Sequence, residues 1–122
     1  FHYVGMIDYH ERNKFYELID VLILNPYKKS KRNGWCTVVN ESLLCGKPVI
    51  CNKYVGASSL IDNENKGFVT NDESYSSLYN SLNKLYNNLS FYRENINSLS
   101  SLAHEEFSVD KGAEKLISSI SK

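Results

Sequence analysis

Apolar residues in the first half of the chain fall into short continuous runs that end at glycine, proline or asparagine. Such runs predict strands, and continuous rather than alternating apolar character predicts burial on both faces, as in a parallel sheet. The predicted strands are Phe1–Gly5, Val21–Leu24, Pro48–Cys51 and Phe68–Thr70. Helical spacing between them predicts helices over Tyr9–Ile19, Thr37–Leu44 and Ser58–Asn63, with Gly46 as a C-terminal cap.

The rest of the chain has the apolar period of helices. One stripe predicts a long helix, and we interpret its side chains as core packing: Tyr75, Leu78, Tyr79, Leu82, Leu85, Tyr86 and Leu89. A weaker pattern predicts helix over Phe91–Phe107, and Ser108 is the expected N-cap of a last helix. Alternation of strands and helices predicts an α/β fold, with a parallel sheet of about four strands flanked by helices and a helical C-terminal third.

Composition excludes several classes of protein. The 122 residues fit one domain with its own core, and the net charge of zero gives no reason to expect nucleic-acid binding. No apolar run approaches the length that spans a membrane. Three cysteines without a C-x-x-C pair indicate reduced thiols rather than disulfides or zinc, and the three histidines have no metal-ligand spacing. We therefore expect no metal and a cytoplasmic location.

The segment Asn33–Ile50 carries the clearest chemistry. It predicts a glycine-bearing loop, an amphipathic helix and a buried strand. Free backbone amides at the start of a helix suit an anion such as a diphosphate, and Glu41 could reach a polyol such as ribose. In a parallel sheet this loop would share one rim with Gly5–Ile7 and Lys53–Ala57, where ligands bind. The pattern predicts a nucleotide-linked ligand.

Taken in order, several motifs resemble the C-terminal, donor-binding domain of the family-four retaining glycosyltransferases, which have two Rossmann-like domains in the arrangement called GT-B. The matching motifs are FHYVGMI, ELIDVLILNP, NGWCTVVNESLLCGKPVI, KYVGASSLI, NKGFVTND and EEFSVDKGAEKL. The resemblance implies that residues 1–122 form a partial Rossmann-like domain that binds a nucleotide sugar. Because the first residue is Phe1 rather than Met and already lies in a predicted strand, we expect the chain to be a piece of a longer protein, cut at a strand boundary.

The resemblance also implies roles for individual residues. The family has two glutamates separated by seven residues, and this chain has Asn33 and Glu41 at those positions. Asn33 would contact sugar hydroxyls without the glutamate's charge, which implies either a different donor sugar or a weaker enzyme; Glu41 would hold the ribose. The remaining donor-site residues implied are Gly34, Trp35, Cys36, Thr37 and Val38 at the sugar and diphosphate, with Gly5, Met6 and Ile7 at the base.

The implied partners are a nucleotide diphosphate sugar as donor and a glycan or lipid-linked acceptor held by an N-terminal domain. In the family, an Arg and a Lys from preceding strands neutralise the diphosphate, so we expect these 122 residues alone not to catalyse. The basic run Lys28, Lys29, Lys31 and Arg32 is either a solvated loop or a contact with anionic lipid or a phosphorylated acceptor at the inner face of the membrane. Unpaired strand edges near Phe1 predict a homodimer of the fragment.

Other interpretations remain open at this point. The chain could be a non-catalytic nucleotide-binding or signalling α/β domain, or a degenerate transferase kept as a scaffold. Strand ends that carry Gly5, Asn25 and Asn52 instead of aspartates argue against a receiver domain. Glu41 could be a solvated helix residue, and Asn33 could serve only as the turn-forming residue before glycine.

Overall fold

The computed structural model describes residues 1–28 and 34–121, and its centre is a parallel sheet. The strands β1 (Leu22–Leu24), β2 (Val49–Asn52) and β3 (Gly67–Thr70) lie in the order β1-β2-β3. In the register, Ile50 of β2 lies opposite Ile23 on one side and Phe68 on the other. All four residues of β2 are buried, as the continuous apolar run predicts.

Six α-helices surround the sheet in the described part of the chain. A 3-10 turn at Tyr9–Glu11 leads into the first helix, and another 3-10 turn, Gly56–Leu60, follows β2. The helices are α1 (Arg12–Leu18), α2 (Val38–Leu44), α3 (Tyr75–Asn87), α4 (Leu89–Glu94), α5 (Ile96–Glu106) and α6 (Val109–Ile120). The α/β fold with a partial Rossmann-like sheet and a helical C-terminal third is confirmed.

Two cores lie on opposite faces of β2, because successive strand residues point to opposite sides. Val49 and Cys51 pack in one cluster with residues of α2 and α5, including Leu43 and Ala103. Ile50 points the other way and packs with residues of α3 and α4, including Leu85. Burial of both faces explains why the strand carries no polar alternation.

Two local signals in the sequence are confirmed. Gly46 follows α2 in a left-handed conformation with φ of 72°, and a Cβ atom there would collide with the carbonyl of Ile96. Glycine therefore ends α2 and lets α5 approach closely. Ser108 caps α6, since its side chain accepts a hydrogen bond of 3.2 Å from the amide of Lys111.

The strand predicted at Phe1–Gly5 is wrong, and the described residues therefore form a sheet of three strands rather than about four. The segment does not pair with β1, and the side chains of Phe1, Tyr3 and Val4 are exposed. A segment becomes a strand only where a neighbouring strand pairs with its backbone groups, so apolar composition does not by itself make it part of a sheet.

The interpretation of the tyrosine stripe as core packing is also wrong in part. Leu78, Leu82 and Leu85 of α3 pack toward the sheet, whereas Tyr75, Tyr79 and Tyr86 are between 65% and 90% exposed. The apolar stripe of α3 is wider than the side of the helix that faces the sheet, so the tyrosines at its margin stay in solvent. Tyrosine tolerates the solvent-facing margin because its hydroxyl stays hydrated.

Candidate functional site

The loop before α2 is fixed against the segment after β2. The amide of Gly56 donates to the carbonyl of Gly34 over 3.1 Å, and the amide of Ala57 donates to the carbonyl of Trp35 over 3.0 Å. A Cβ on Gly56 would lie 2.9 Å from that Gly34 oxygen, which is too close for ordinary packing. Glycine at 56 therefore allows two loops at the carboxyl ends of the strands to meet.

The turn from this loop into α2 depends on Cys36, which adopts a left-handed conformation with φ of 61°. Its carbonyl accepts a hydrogen bond from the amide of Val39, and the Thr37 carbonyl accepts one from Glu41, each over 3.1 Å. Within the described residues, the amides from Trp35 to Val38 donate no hydrogen bond to the protein. These amides are the donors that the sequence assigns to an anionic ligand.

The side chain of Trp35 is half-exposed and lies beside α2. Its indole Nε1 donates a hydrogen bond of 3.0 Å to Oδ1 of Asn40. The ring is therefore oriented by a polar contact at the start of the helix, with 51% of the residue exposed.

Glu41 has partners that the sequence did not reveal. Its Oε1 lies 2.9 Å from Nη1 of Arg12, and its Oε2 accepts a hydrogen bond of 3.0 Å from the Tyr16 hydroxyl. Burial and the hydrogen bond to Glu41 raise the pKa of Tyr16, so the hydroxyl remains a donor at neutral pH. Two residues of α1, Arg12 and Tyr16, thus hold the carboxylate of Glu41 on α2. The interpretation of Glu41 as a freely solvated residue is excluded.

Arg12 is itself held in place by a second tyrosine. Its Nη2 donates to the hydroxyl of Tyr9 over 3.0 Å, and its guanidinium carbon lies 3.9 Å from the centre of the Tyr9 ring. The carboxylate and the guanidinium border a cavity of about 290 Å³, whose lining residues are Arg12, Asn13, Glu41, Leu44, Cys45 and His104. The cavity is large enough for part of a nucleotide, and none of its lining residues comes from the loop before α2.

Gly5, Met6 and Ile7 lie in a separate part of the surface. Gly5 has a φ of 76°, and Met6 and Ile7 border a different cavity of about 290 Å³ together with residues of α1, including Phe15. The structure therefore does not bring these three residues into the cavity that Glu41 borders. Their assignment to the base stays a prediction from the resemblance.

A network of asparagines fixes the carboxyl ends of the strands. The amide nitrogen of Asn52, which is fully buried, donates to Oδ1 of Asn25 over 2.9 Å and to the carbonyl of Pro26 over 2.8 Å. Its oxygen accepts a bond from the amide of Tyr54, and Asn25 donates to the carbonyl of Glu73. These residues join the ends of β1 and β2 to the start of α3. The signal for them was an asparagine directly after each of the two apolar runs Val21–Leu24 and Pro48–Cys51.

The cysteines are free thiols, and two of them are poor nucleophiles in this fold. Burial raises the pKa of Cys51 to about 11, and burial together with Glu41 raises the pKa of Cys45. Over residues 1–28 and 34–121, no group of three or more His, Cys, Asp or Glu residues is placed to hold a metal ion. No helix in the same ranges is long and apolar enough to cross a membrane.

Asn33 lies outside the described residues, as do Lys29, Lys31 and Arg32 of the basic run. Their assignments stay predictions from the sequence. Lys28 is described and exposed.

Comparison with known proteins gives one family. The family model described as "Glycosyl transferases group 1" matches residues 1–98, which include the loop, α2 and all three strands. No curated protein and no solved structure gives a significant match.

Proposed function

Because the chain belongs to the group 1 glycosyl transferases, we propose that it forms the donor-binding half of a retaining enzyme of the GT-B type. The donor would be a nucleoside diphosphate sugar, and the acceptor a glycan or a lipid-linked molecule held by a second domain. The family assigns glycosyl transfer to this chain. We also propose that the sugar is transferred in the cytoplasm, at the inner face of the membrane.

One observation supports the donor site most directly. The carboxylate of Glu41 is oriented by two donors at the edge of a cavity, one turn beyond a loop with free amides. A diphosphate at the amides of Trp35–Val38 would place its ribose toward Glu41. This arrangement provides hydrogen-bond donors for phosphate oxygens and an acceptor for hydroxyls, as a nucleotide requires.

The role of this half in the reaction would be electrostatic. As the bond from the sugar to the diphosphate breaks, negative charge grows on the leaving oxygen, and amides already fixed in position stabilise that charge without reorganising. The bonds from Gly56 and Ala57 to the loop keep it in place. In the family an arginine and a lysine come from strands that precede these motifs, and such a pair would supply the remaining positive charge, as the resemblance implies.

Nucleotide titration followed by NMR tests the proposal. We expect UDP, GDP or ADP to shift the resonances of residues 34–41, with a dissociation constant of about 0.1 to 1 mM. Glu41→Ala should weaken the binding by about 1.5 to 3 kcal/mol, the usual loss for a hydrogen bond to a charged group. If none of the three nucleotides moves these resonances, the donor-site assignment is wrong.

A further inference from the structure

We propose that Tyr16 and Arg12 are positioning residues that hold the Glu41 carboxylate ready to accept two hydrogen bonds from a vicinal diol. This inference rests on the proposed function, because it concerns how the same site recognises the ribose of its nucleotide. It assigns roles to two residues of α1 that have no part in the loop-and-helix motif.

The hydrogen bonds already made by the Glu41 carboxylate determine which acceptor positions remain for a ligand. An ionised carboxylate has about four acceptor positions, two on each oxygen. Arg12 occupies one position on Oε1, and Tyr16 occupies one on Oε2. One position remains on each oxygen, so the free acceptors form a pair with fixed separation. Adjacent hydroxyls on a ribose ring match such a pair, because each can donate to a different oxygen.

The burial of Tyr16 fixes the direction from which it contacts Glu41. Tyr16 is 3% exposed, and its ring cannot turn away from Glu41 without disturbing the core. Its hydroxyl also lies 3.5 Å from the carbonyl of Val38, at the start of α2. Tyr16 thus approaches Glu41 from the protein side, and the free positions on the carboxylate are left for a ligand.

Arg12 holds the carboxylate from the cavity side. The guanidinium stacks on Tyr9 and is bonded to the Tyr9 hydroxyl, so its own orientation is restricted. Its side chain is 37% exposed and that of Glu41 is 29% exposed, which keeps both within reach of a ligand.

The test compares nucleotides that have and lack the diol. UDP and 2′,3′-dideoxy-UDP are titrated by calorimetry against the chain, Tyr16→Phe and Arg12→Lys, with GDP and ADP pairs used if UDP does not bind. Tyr16→Phe should lower the affinity for the ribonucleotide about tenfold and leave the dideoxynucleotide within about twofold. Arg12→Lys keeps a charge without the fixed fork and should cause a smaller loss of the same kind.

Tyr92→Phe is the matched control. Tyr92 is also buried, and its hydroxyl donates to the carbonyl of Glu64 over 2.7 Å, away from Glu41. It should change neither affinity. Thermal melts of all variants show whether each is folded, and Arg12→Lys remains informative if Tyr16→Phe does not fold.

The outcomes separate the two proposals. If the unaltered chain prefers the ribonucleotide but neither α1 variant reduces that preference, the positioning role is wrong and the donor site stands. If a variant weakens both nucleotides equally, its residue supports the fold and does not orient the carboxylate. If the unaltered chain binds none of the nucleotides, the proposed function fails, and the positioning role fails with it.

Discussion

The ammonium nitrogen of Lys66 lies 2.6 Å from Oε2 of Glu106, which ties the residue before β3 to the end of α5. Lys66 is almost completely buried, and it also lies 2.9 Å from Oδ1 of Asp62. Burial alone would lower the pKa of Lys66, but the hydrogen bonds and charges of Glu106 and Asp62 outweigh it and raise that pKa. The lysine is therefore charged inside the fold and depends on its two carboxylates.

Glu106→Gln should destabilise the fold by about 1 to 3 kcal/mol, because a buried charge would lose one of its two partners. The remaining pair with Asp62 keeps the loss below that of a fully orphaned charge. Urea denaturation measures the free energy of unfolding. Glu114→Gln is the control, since it breaks an exposed pair with Lys111 and should have little effect. Equal losses in both variants would contradict the structural role of Lys66.

Stability should fall in acid through two aspartates, each of which is paired with a cation. The hydrogen bonds from Arg93 to Asp20 and from Lys66 to Asp62 lower the pKa of each carboxyl below its usual 3.8. A lowered folded-state pKa gives stability that is complete above the usual value and is lost as pH falls through the folded value. Both side chains are partly exposed, so each contributes below about 1 kcal/mol.

Urea midpoints measured from pH 7 to about pH 2 would show this loss. Asp20→Asn should lower the midpoint at neutral pH and flatten part of the decline in acid. An unchanged decline would mean that the Asp20–Arg93 pair does not persist in solution.

Asn52→Leu should destabilise the fold by about 2 to 4 kcal/mol. The Asn25 oxygen, the Pro26 carbonyl and the Tyr54 amide would each lose a hydrogen-bond partner that leucine cannot replace. Leucine has a similar size, so the effect reports hydrogen bonds more than volume. The measurement is again urea denaturation, with Asn83→Leu on the exposed face of α3 as the control. If Asn52→Leu is as stable as the unaltered chain, the network does not fix the strand ends.

Asn33→Glu, made in a protein that includes the proposed second domain, tests the departure from the two glutamates that the family-four resemblance implies. We predict a change in turnover or in the preferred donor sugar, with little effect on binding of the bare nucleotide, since the side chain would contact sugar hydroxyls. Kinetics with a panel of nucleotide sugars measures both. An unchanged panel would leave Asn33 as a turn residue.

Self-association of the 122-residue chain is a prediction from its exposed apolar surface. Phe1, Tyr3, Val4 and Met6 are all more than 60% exposed, and β1 has only one neighbour among the described strands. Unpaired backbone groups beside apolar side chains favour pairing with a second copy. Light scattering over a concentration series should show dimers, and Tyr3→Lys should weaken them. A monomer at high concentration would refute the idea.

Local features of the sequence predicted most of the fold. Ser108 and Gly46 mark helix ends because their effects involve only nearby backbone groups. The continuous apolar character of β2 reflects the burial of both its faces. Any two layers packed on those faces would require the same apolar residues. Such signals lie in a few adjacent residues, so they can be recognised without knowing which distant segment packs against them.

Contacts between distant segments could not be predicted in this way. The pairing of Arg12 with Glu41 spans 29 positions, and that of Lys66 with Glu106 spans 40. Nothing in the local pattern distinguishes these charged residues from solvated ones. The failure at Phe1–Gly5 has the same origin, because a strand exists only with its neighbour, and the neighbour is set by the whole fold.

The strand order β1-β2-β3 has a consequence for how the protein is made. Each strand pairs with the one synthesised just before it, so the sheet can grow in the order in which the chain leaves the ribosome. The second core, on the face of α3, cannot close until Leu85 and Tyr92 have emerged. Val39 and Leu43 of α2 are made before β2 and can cover Val49 and Cys51, although that core also needs Leu99 and Ala103 of α5. Ile50 has no helix to cover it until α3 emerges, so a nascent chain paused between β3 and α3 would present this face of its sheet to chaperones.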